Sequence, residues 1–221
     1  MRAISKNQIT EGVIWKQLLF FFFPILLGTL FQQLYNTADT VVVGRFVGTK
    51  ALAAVGGSTG QIVNLVVNFF VGLASGATVI IARYYGARDR IKLNNALHTA
   101  IALSIVGGIV TAVAGILLTP FLLQMMNTPA DVIEGSTTYL RIYFAGIIFV
   151  FVYNIGSGIL RAVGDSKRPL YFLIVCCFLN IFLDILFVVY LKLGVKGAAF
   201  ATVISQAVSA LLVILSLTKS V

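Results

Sequence analysis

An amide and a carboxylate, Asn180 and Asp184, sit four residues apart in the otherwise apolar run Phe178-Leu179-Asn180-Ile181-Phe182-Leu183-Asp184-Ile185-Leu186-Phe187-Val188-Val189. At helical spacing the two share a face. The uncharged residues around them, 169–183 and 185–191, together make one segment long enough to cross a bilayer. An ionised carboxylate at such a place costs roughly 2.5 to 3.5 kcal/mol on insertion scales, so it needs a partner, a proton or a function. A second carboxylate, Asp39, shares a helical face with Gln32 and Asn36. Val41, Val42 and Val43 follow it, and Arg45 is the first clear mark of water, which keeps Asp39 within its helix. Thr202 opens a polar stripe with Ser205, Gln206 and Ser209. Two carboxylates, an amide oxygen and a hydroxyl are hard oxygen donors of the kind a sodium ion takes and a soft metal does not. The same carboxylates can hold protons, because burial favours the neutral form. A group protonated in one conformation and ionised in another couples conformation to an ion gradient. The competing reading is that Asn180 and Asp184 only hydrogen-bond neighbouring helices.

The elements that must position these residues follow from composition. Hydrophobic residues make up 59% of the 221-residue chain and charged residues 10%, with a mean hydropathy of +1.02. Those values lie outside the range of soluble domains and define an integral membrane protein. The apolar runs are continuous, without the period-two alternation of a membrane barrel, so the spans are helices. The expected fold is all-α, a single bundle over 1–221 with six transmembrane helices near 17–43, 53–82, 93–118, 135–160, 170–191 and 198–217. The polar start, residues 1–11, and a long apolar run containing Pro24 without a small-residue cleavage site argue against a removable signal peptide.

Along the chain, residues 51–82 carry no charge, so the second helix is long, tilted, or begins before the membrane does. Gly56 with Gly60, and Gly72 with Gly76, are small-xxx-small pairs that predict close helix packing. Gln61, Asn64 and Asn68 share a face expected to look into the bundle. The third helix carries His98, read as interfacial, and Gly107, Gly108 and Gly115 for packing, and is expected to stop at Pro120. Asp131 reads as an N-cap with Glu134 three residues on. The fourth helix then runs past Tyr139, Arg141 and Tyr143 through Asn154. The adjacent Cys176 and Cys177, the only cysteines, lack metal-ligand spacing and read as lipid-facing or packing residues.

The net charge of +9 follows from basic residues clustered between spans, so it reports topology and not nucleic acid. Arg2, Lys6, Lys16, Arg83, Arg88, Arg90, Lys92, Arg161, Lys167, Arg168 and Lys219 fall on one side, eleven of the 16 basic residues. Arg45, Lys50, Arg141, Lys192 and Lys196 fall on the other. The imbalance predicts a multi-pass protein of the cell (inner) membrane with both termini cytoplasmic. At ~1.5 Å per residue, Asp184 lies ~10 Å from the outer end of the fifth helix and Thr202 ~8 Å from that of the sixth. With Asp39 near the outer end of the first helix and Asn180 one turn below Asp184, the four converge if helices one, five and six are neighbours. No Ser/His pair, metal-binding helix or nucleotide loop points to an enzyme. Ala162-Val163-Gly164-Asp165 is not the Gly-x-Gly-Asp of an intramembrane aspartyl protease, and no cofactor is expected.

Five segments carry a family resemblance. They are Gln33-Leu34-Tyr35-Asn36-Thr37-Ala38-Asp39-Thr40-Val41-Val42-Val43-Gly44, Arg83-Tyr84-Tyr85-Gly86-Ala87-Arg88-Asp89, Met126-Asn127-Thr128-Pro129, Gly164-Asp165-Ser166-Lys167-Arg168-Pro169-Leu170 and Gly194-Val195-Lys196-Gly197-Ala198-Ala199-Phe200-Ala201-Thr202. Together and in order they resemble the prokaryotic multidrug and toxic compound extrusion (MATE) transporters over nearly the whole chain. The resemblance implies export of organic, often cationic, small molecules in exchange for sodium ions or protons, by alternating access between two six-helix lobes. The chain looks like the amino-terminal lobe, with a second lobe and membrane lipid as its partners. The resemblance places the coupling-ion site, a sodium site if the ion is sodium, at Asp39, Asn180, Asp184 and Thr202. Gln32, Asn36, Gln61, Asn64, Asn68, Asn154 and Gln206 are candidates for lining the cavity. The alternative is a truncated or non-transporting membrane module that functions only by assembling with a second lobe.

Overall fold

A computed structural model describes residues 14–220, the side chains of residues 14, 219 and 220 excepted. The expectations for residues 1–11, Arg2, Lys6 and the Lys219 side chain lie outside the described residues. Helices α1 (Ile14–Phe46), α2 (Thr49–Gly56), α3 (Ser58–Gly86), α4 (Arg90–Met125), α5 (Ile133–Ala145), α6 (Ile147–Ala162), α7 (Lys167–Asp184) and α8 (Gly194–Ser220) follow one another, with a π-helical segment, Ile185–Tyr190, directly after Asp184. Five spans are long and apolar enough to cross a bilayer, and the pair α5 and α6, bent by 50°, makes a sixth. The architecture is an all-α membrane bundle, as the unbroken apolar runs require.

The second span is long because it is two helices, broken at Gly57, where a Cβ would stand 2.6 Å from the carbonyl oxygen of Ala53. The fourth span bends at Gly146, against which Val203 of α8 packs. Pro120 does not stop its helix: α4 runs on to Met125. A proline forfeits one backbone bond, and a membrane helix tolerates this where side chains re-satisfy the freed carbonyls. The freed carbonyl is that of Ile116, four residues before Pro120, and the adjacent Thr119 hydroxyl donates to the Gly115 carbonyl instead, at 2.6 Å. Asp131 does not cap α5 either. Val132 occupies the cap position without a side-chain bond, and the Asp131 carboxylate pairs with Lys50 at 3.2 Å.

The glycines divide. Gly107 lies against Phe70, Gly108 against Ile148 and Gly115 against Phe144, so the third span packs through its glycines as expected. Gly56, Gly72 and Gly76 meet nothing, and the packing expected of their pairs is absent. That face of α3 is exposed. Gln61, Asn64 and Asn68 are exposed with it, opposite to the expectation that they look into the bundle. α3 buries Thr59, Ile62, Ala74 and Ile81 instead, because its apolar side chains of matching depth meet α4 and α6 there.

Three loops gather at one end of the bundle. Lys50 and Asp131 join two of them, and Val47 approaches Gly194 of the third. A core of Val43, Leu123, Leu140, Phe144, Ile147 and Phe151 fills this half, and a second cluster around Ile81, Leu97, Ile155 and Ile159 fills the other. At the opposite end Arg168 donates to the Ser216 hydroxyl at 3.1 Å and pairs with Asp165 at 2.9 Å, tying the start of α7 to the end of α8. Helix α7 packs against both α1 and α8, so the three elements that carry the candidate residues are neighbours.

Candidate functional site

Asp39 reaches the interior from the last third of α1, Asn180 and Asp184 from the last two turns of α7, and Thr202 from the third turn of α8. Their exposures are 7%, 0%, 0% and 2%. The four lie in one buried region of the half that holds the Lys50 and Asp131 loops. Asp39 acts electrostatically on Asp184.

The hydrogen-bond inventory of this region is incomplete. Oδ1 of Asp39, both carboxylate oxygens of Asp184, and both amide atoms of Asn180 are buried without a partner. Leaving a buried polar group unsatisfied costs about 1 to 3 kcal/mol, and more for a charged one. Thr202 donates to the Ala198 carbonyl at 3.0 Å, which leaves its lone pairs free as acceptors. The region therefore holds oxygen acceptors from three helices, those of Asp39, Asn180 and Asp184 without a partner. A cation or added protons would satisfy them, and hydrogen bonds between neighbouring helices do not.

Among the described residues no three of His, Cys, Asp and Glu gather around a common point. The donors are hard oxygens, and they suit a weakly bound hard cation.

Two residues of α5 belong to the same region although their spacing carries no comparable signal. Tyr139, 6% exposed, lies against the Thr202 hydroxyl and interacts with both Asp39 and Asp184. Tyr143, one turn on, stacks with it at 6.3 Å between ring centroids. Tyr35, one turn before Asp39 on α1, interacts with Asp39, Tyr139 and Tyr143. A tyrosine in an apolar run is ordinary packing by composition. Only the i, i+4 relation of Tyr35 to Asp39 pointed towards the site.

The π-helical segment is the other feature not foreseen. Leu191 N–H bonds the Leu186 carbonyl at 2.9 Å, the wider repeat of a π turn, starting one residue after Asp184. Such turns occur often at functional sites.

The remaining candidates are dispersed. Gln32 and Asn36 are exposed, in contrast to Asp39 on the same helix, and Gln61, Asn64 and Asn68 are exposed on α3. Asn154 is half-buried and donates to the Val150 carbonyl at 2.8 Å. Gln206 is half-buried with its Oε1 lacking a partner. The Cys176 and Cys177 side chains are buried, so of the two roles expected for them packing applies. His98 is exposed and its Nδ1 bonds the Asn94 carbonyl at 2.9 Å.

The family model described as MatE matches residues 24–186. The probable multidrug resistance protein YpnP of Bacillus subtilis (strain 168) is 36% identical over 200 residues, covering 90% of this chain and 45% of that protein. A solved MOP superfamily transporter from Pyrococcus furiosus superposes with a TM-score of 0.91 at 30% identity, covering 100% of this chain and 48% of that one. An outward-facing multidrug resistance MATE family transporter of the same superfamily superposes at 0.89 and 30% identity, over 98% of this chain and 48% of that one. The chain thus spans about half the length of the curated relatives it matches. A match across most of the chain, on an all-α membrane bundle with the same arrangement of helices, leads to one conclusion: the chain belongs to the MATE family.

Proposed function

We propose that this bundle is the ion-coupling lobe of a multidrug antiporter. In this reading Asp39, Asn180, Asp184 and Thr202 hold the coupling cation, sodium or proton, and an organic, cationic compound leaves the cell in exchange. The observation that carries the reading is the set of orphaned atoms on Asp39, Asn180 and Asp184, buried together at the meeting of α1, α7 and α8. A cluster held for stability would close its own hydrogen bonds. The relatives named as multidrug resistance proteins supply the substrate class.

The exposed amides Gln32, Asn36, Gln61, Asn64 and Asn68 sit on the outside of the lobe, where they would face a second lobe across a polar cavity. The charge asymmetry of the loops supports an orientation with both termini in the cytoplasm and the Lys50 and Asp131 loops outside. Drug efflux from membrane vesicles, measured for Asp184→Asn at matched expression, tests the reading. Loss of ion-driven efflux is expected, and unchanged coupling would overturn it.

The second reading, a module that acts only when assembled with another lobe, is favoured by the coverage of about half of each relative. The two are separated by the purified chain alone. Cation binding that disappears on mutating Asp39 or Asp184 assigns it the coupling function in its own right.

A further inference from the structure

The polar stripe of α8 continues past the cluster, and the coupling site uses only its first member. Ser205 and Ser209, at 0% and 1% exposure, follow Thr202 down the helix away from the outer loops. Cys176 of α7, one turn below Asn180, lies against both of these hydroxyls. Tyr153 of α6 donates its hydroxyl to the Pro169 carbonyl at 3.3 Å, in the first turn of the helix that carries Cys176. Ser157, one turn further along α6 and 1% exposed, lies beside the Tyr153 hydroxyl with its own oxygen unpartnered. Another turn brings Arg161, half-buried at the end of α6. From Asp184 to Cys176 is eight residues, ~12 Å, and from Tyr153 to Arg161 eight more, ~12 Å. The sum, ~24 Å against a hydrocarbon core of ~30 Å, carries the column from the cluster to the far end of the bundle.

These groups are poor glue between helices. A hydroxyl in a membrane helix can satisfy itself on its own i−4 carbonyl, as Thr29, Thr40, Thr99 and Thr137 do here, and as Thr202 and Ser205 at the top of the column do on Ala198 and Ala201. The bonds that cross helices within the column are long, 3.5 Å from Ser209 to the Phe172 carbonyl and 3.3 Å from Tyr153 to Pro169. Ser157 Oγ and Gln206 Oε1 make none. Such cross-helix contacts average only about 0.6 kcal/mol even when well formed. Loose bonds with spare lone pairs are what a relay needs.

We infer that this column is a proton route joining the Asp39 and Asp184 cluster to the end of the bundle that carries the 161–169 loop. The inference rests on the coupling reading above and names its ion. A sodium ion needs several oxygen ligands at every resting place, whereas each step here offers one hydroxyl or a soft thiol.

In the transfer, the O–H bond of a protonated Asp184 breaks and its electron pair stays on the carboxylate. Tyr139, Thr202 and the groups below each accept a proton on a lone pair and release the one they carried. A water at the far end gains the last. Nothing is oxidised or reduced, and the hydroxyls turn back to reset the chain.

Around the upper end, Asp39 and Tyr35 face the cluster from α1 and Tyr139 and Tyr143 from α5. Lower down, the titratable or charged groups are Cys176, its neighbour Cys177, Tyr153 and Arg161. At the mouth Asp165 is engaged by Arg168.

The test is time-resolved infrared spectroscopy of the whole chain in vesicles, reading the carboxyl band of Asp39 and Asp184 after a pH jump on the Arg161 side. Tyr153→Phe, and the pair Cys176→Val with Ser209→Ala, are expected to slow protonation at least tenfold while leaving the final band amplitude unchanged. Cys176→Ser, which keeps a relay atom, is expected to retain the rate. A wild-type rate in Tyr153→Phe, which removes one oxygen and no packing, overturns the route. A cluster that binds sodium and never shows a protonated carboxyl band also overturns it, while leaving the coupling site in place. A chain that binds neither ion defeats the coupling reading itself.

Discussion

Gly197, in the first turn of α8, lies directly on the backbone of Phe187, where a Cβ would stand 3.1 Å from the carbonyl carbon, carbonyl oxygen and Cβ of that residue. Phe187 is the third residue of the π-helical segment that begins after Asp184. The glycine therefore lets α8 approach the backbone of the segment that follows Asp184. A methyl group needs a few tenths of an ångström of give, and a branched side chain needs more. Binding sites tolerate only about 0.5 Å of displacement. Gly197→Val is expected to weaken cation binding at the cluster about tenfold, ~1.4 kcal/mol, with helicity unchanged. Calorimetric titration of the folded variant measures it, and wild-type affinity would show that the π segment is independent of α8.

Asp39 and Asp184 act on each other across the α1 and α7 contact, so in the proposed coupling site their contributions to binding are not separable. Residues sharing one ligand show interaction energies of about 0.5 to 3 kcal/mol in double-mutant cycles. Asp39→Asn and Asp184→Asn are each expected to reduce cation affinity by tenfold or more. The double variant is expected to lose less than the sum. Additive losses would mean two separate sites.

How much of this was legible in the sequence depends on the kind of signal. Asp184 announces itself because a charge in hydrocarbon has no ordinary explanation, and depth counting along straight helices then selects Thr202 at the same level, with Asn180 one turn below. Helix adjacency is a tertiary fact, and α7 between α1 and α8 became visible only in the fold. The misreadings share a cause. Pro120, the glycine pairs Gly56 with Gly60 and Gly72 with Gly76, and the amides of α3 were interpreted by local pattern. In each case the outcome was decided by what the neighbouring helix presents, or by whether a neighbour is there at all. Tyr139 and the π segment left no local signal, since a tyrosine and a run of Ile, Leu, Phe and Val look like packing.

Gly115 tests the packing side of the fold. Phe144 of α5 occupies the space where a side chain on residue 115 would go, and Phe144 is itself 1% exposed. Overpacking of a well-filled core costs typically 1–3 kcal/mol. Gly115→Val is expected to destabilise the bundle by at least ~2 kcal/mol, seen as a lower unfolding midpoint in detergent. Gly76→Val, facing nothing within the lobe, serves as the control and is expected to leave the midpoint unchanged.

The ion pair joining Lys50 to Asp131 ties two segments at one end of the bundle, yet its side chains are 73% and 52% exposed. Exposed pairs contribute about 0 to 1 kcal/mol and are screened by salt. Lys50→Ala is therefore expected to shift stability by less than ~1 kcal/mol, and by less still at high ionic strength. A larger loss in a thermal melt would mean that the pair holds the two loops in a way its exposure does not predict.

Asp89 supplies a pH-dependent contact of definite sign at the opposite end. Its Oδ1 accepts from the Lys92 backbone N–H at 3.1 Å, capping α4, and its Oδ2 meets the Lys92 ammonium at 3.2 Å. The backbone bond first, and the side-chain contact second, hold the carboxyl below the usual carboxylate range. A carboxylate depressed in the folded state contributes its stability in full above its unfolded pKa, near 3.9. That contribution fades as pH falls below this value through the lower folded one. Between pH 5 and 8 the cap is expected to be constant, and amide exchange at the first turn of α4 should not vary from this source. Below about pH 4 the first turn is expected to fray, with faster exchange at Leu93 and Asn94 after correction for intrinsic rates. Asp89→Ser keeps a capping oxygen that does not titrate. It is expected to abolish the acid-dependent step while preserving protection at neutral pH, and persistence of the step in that variant would assign it to another group.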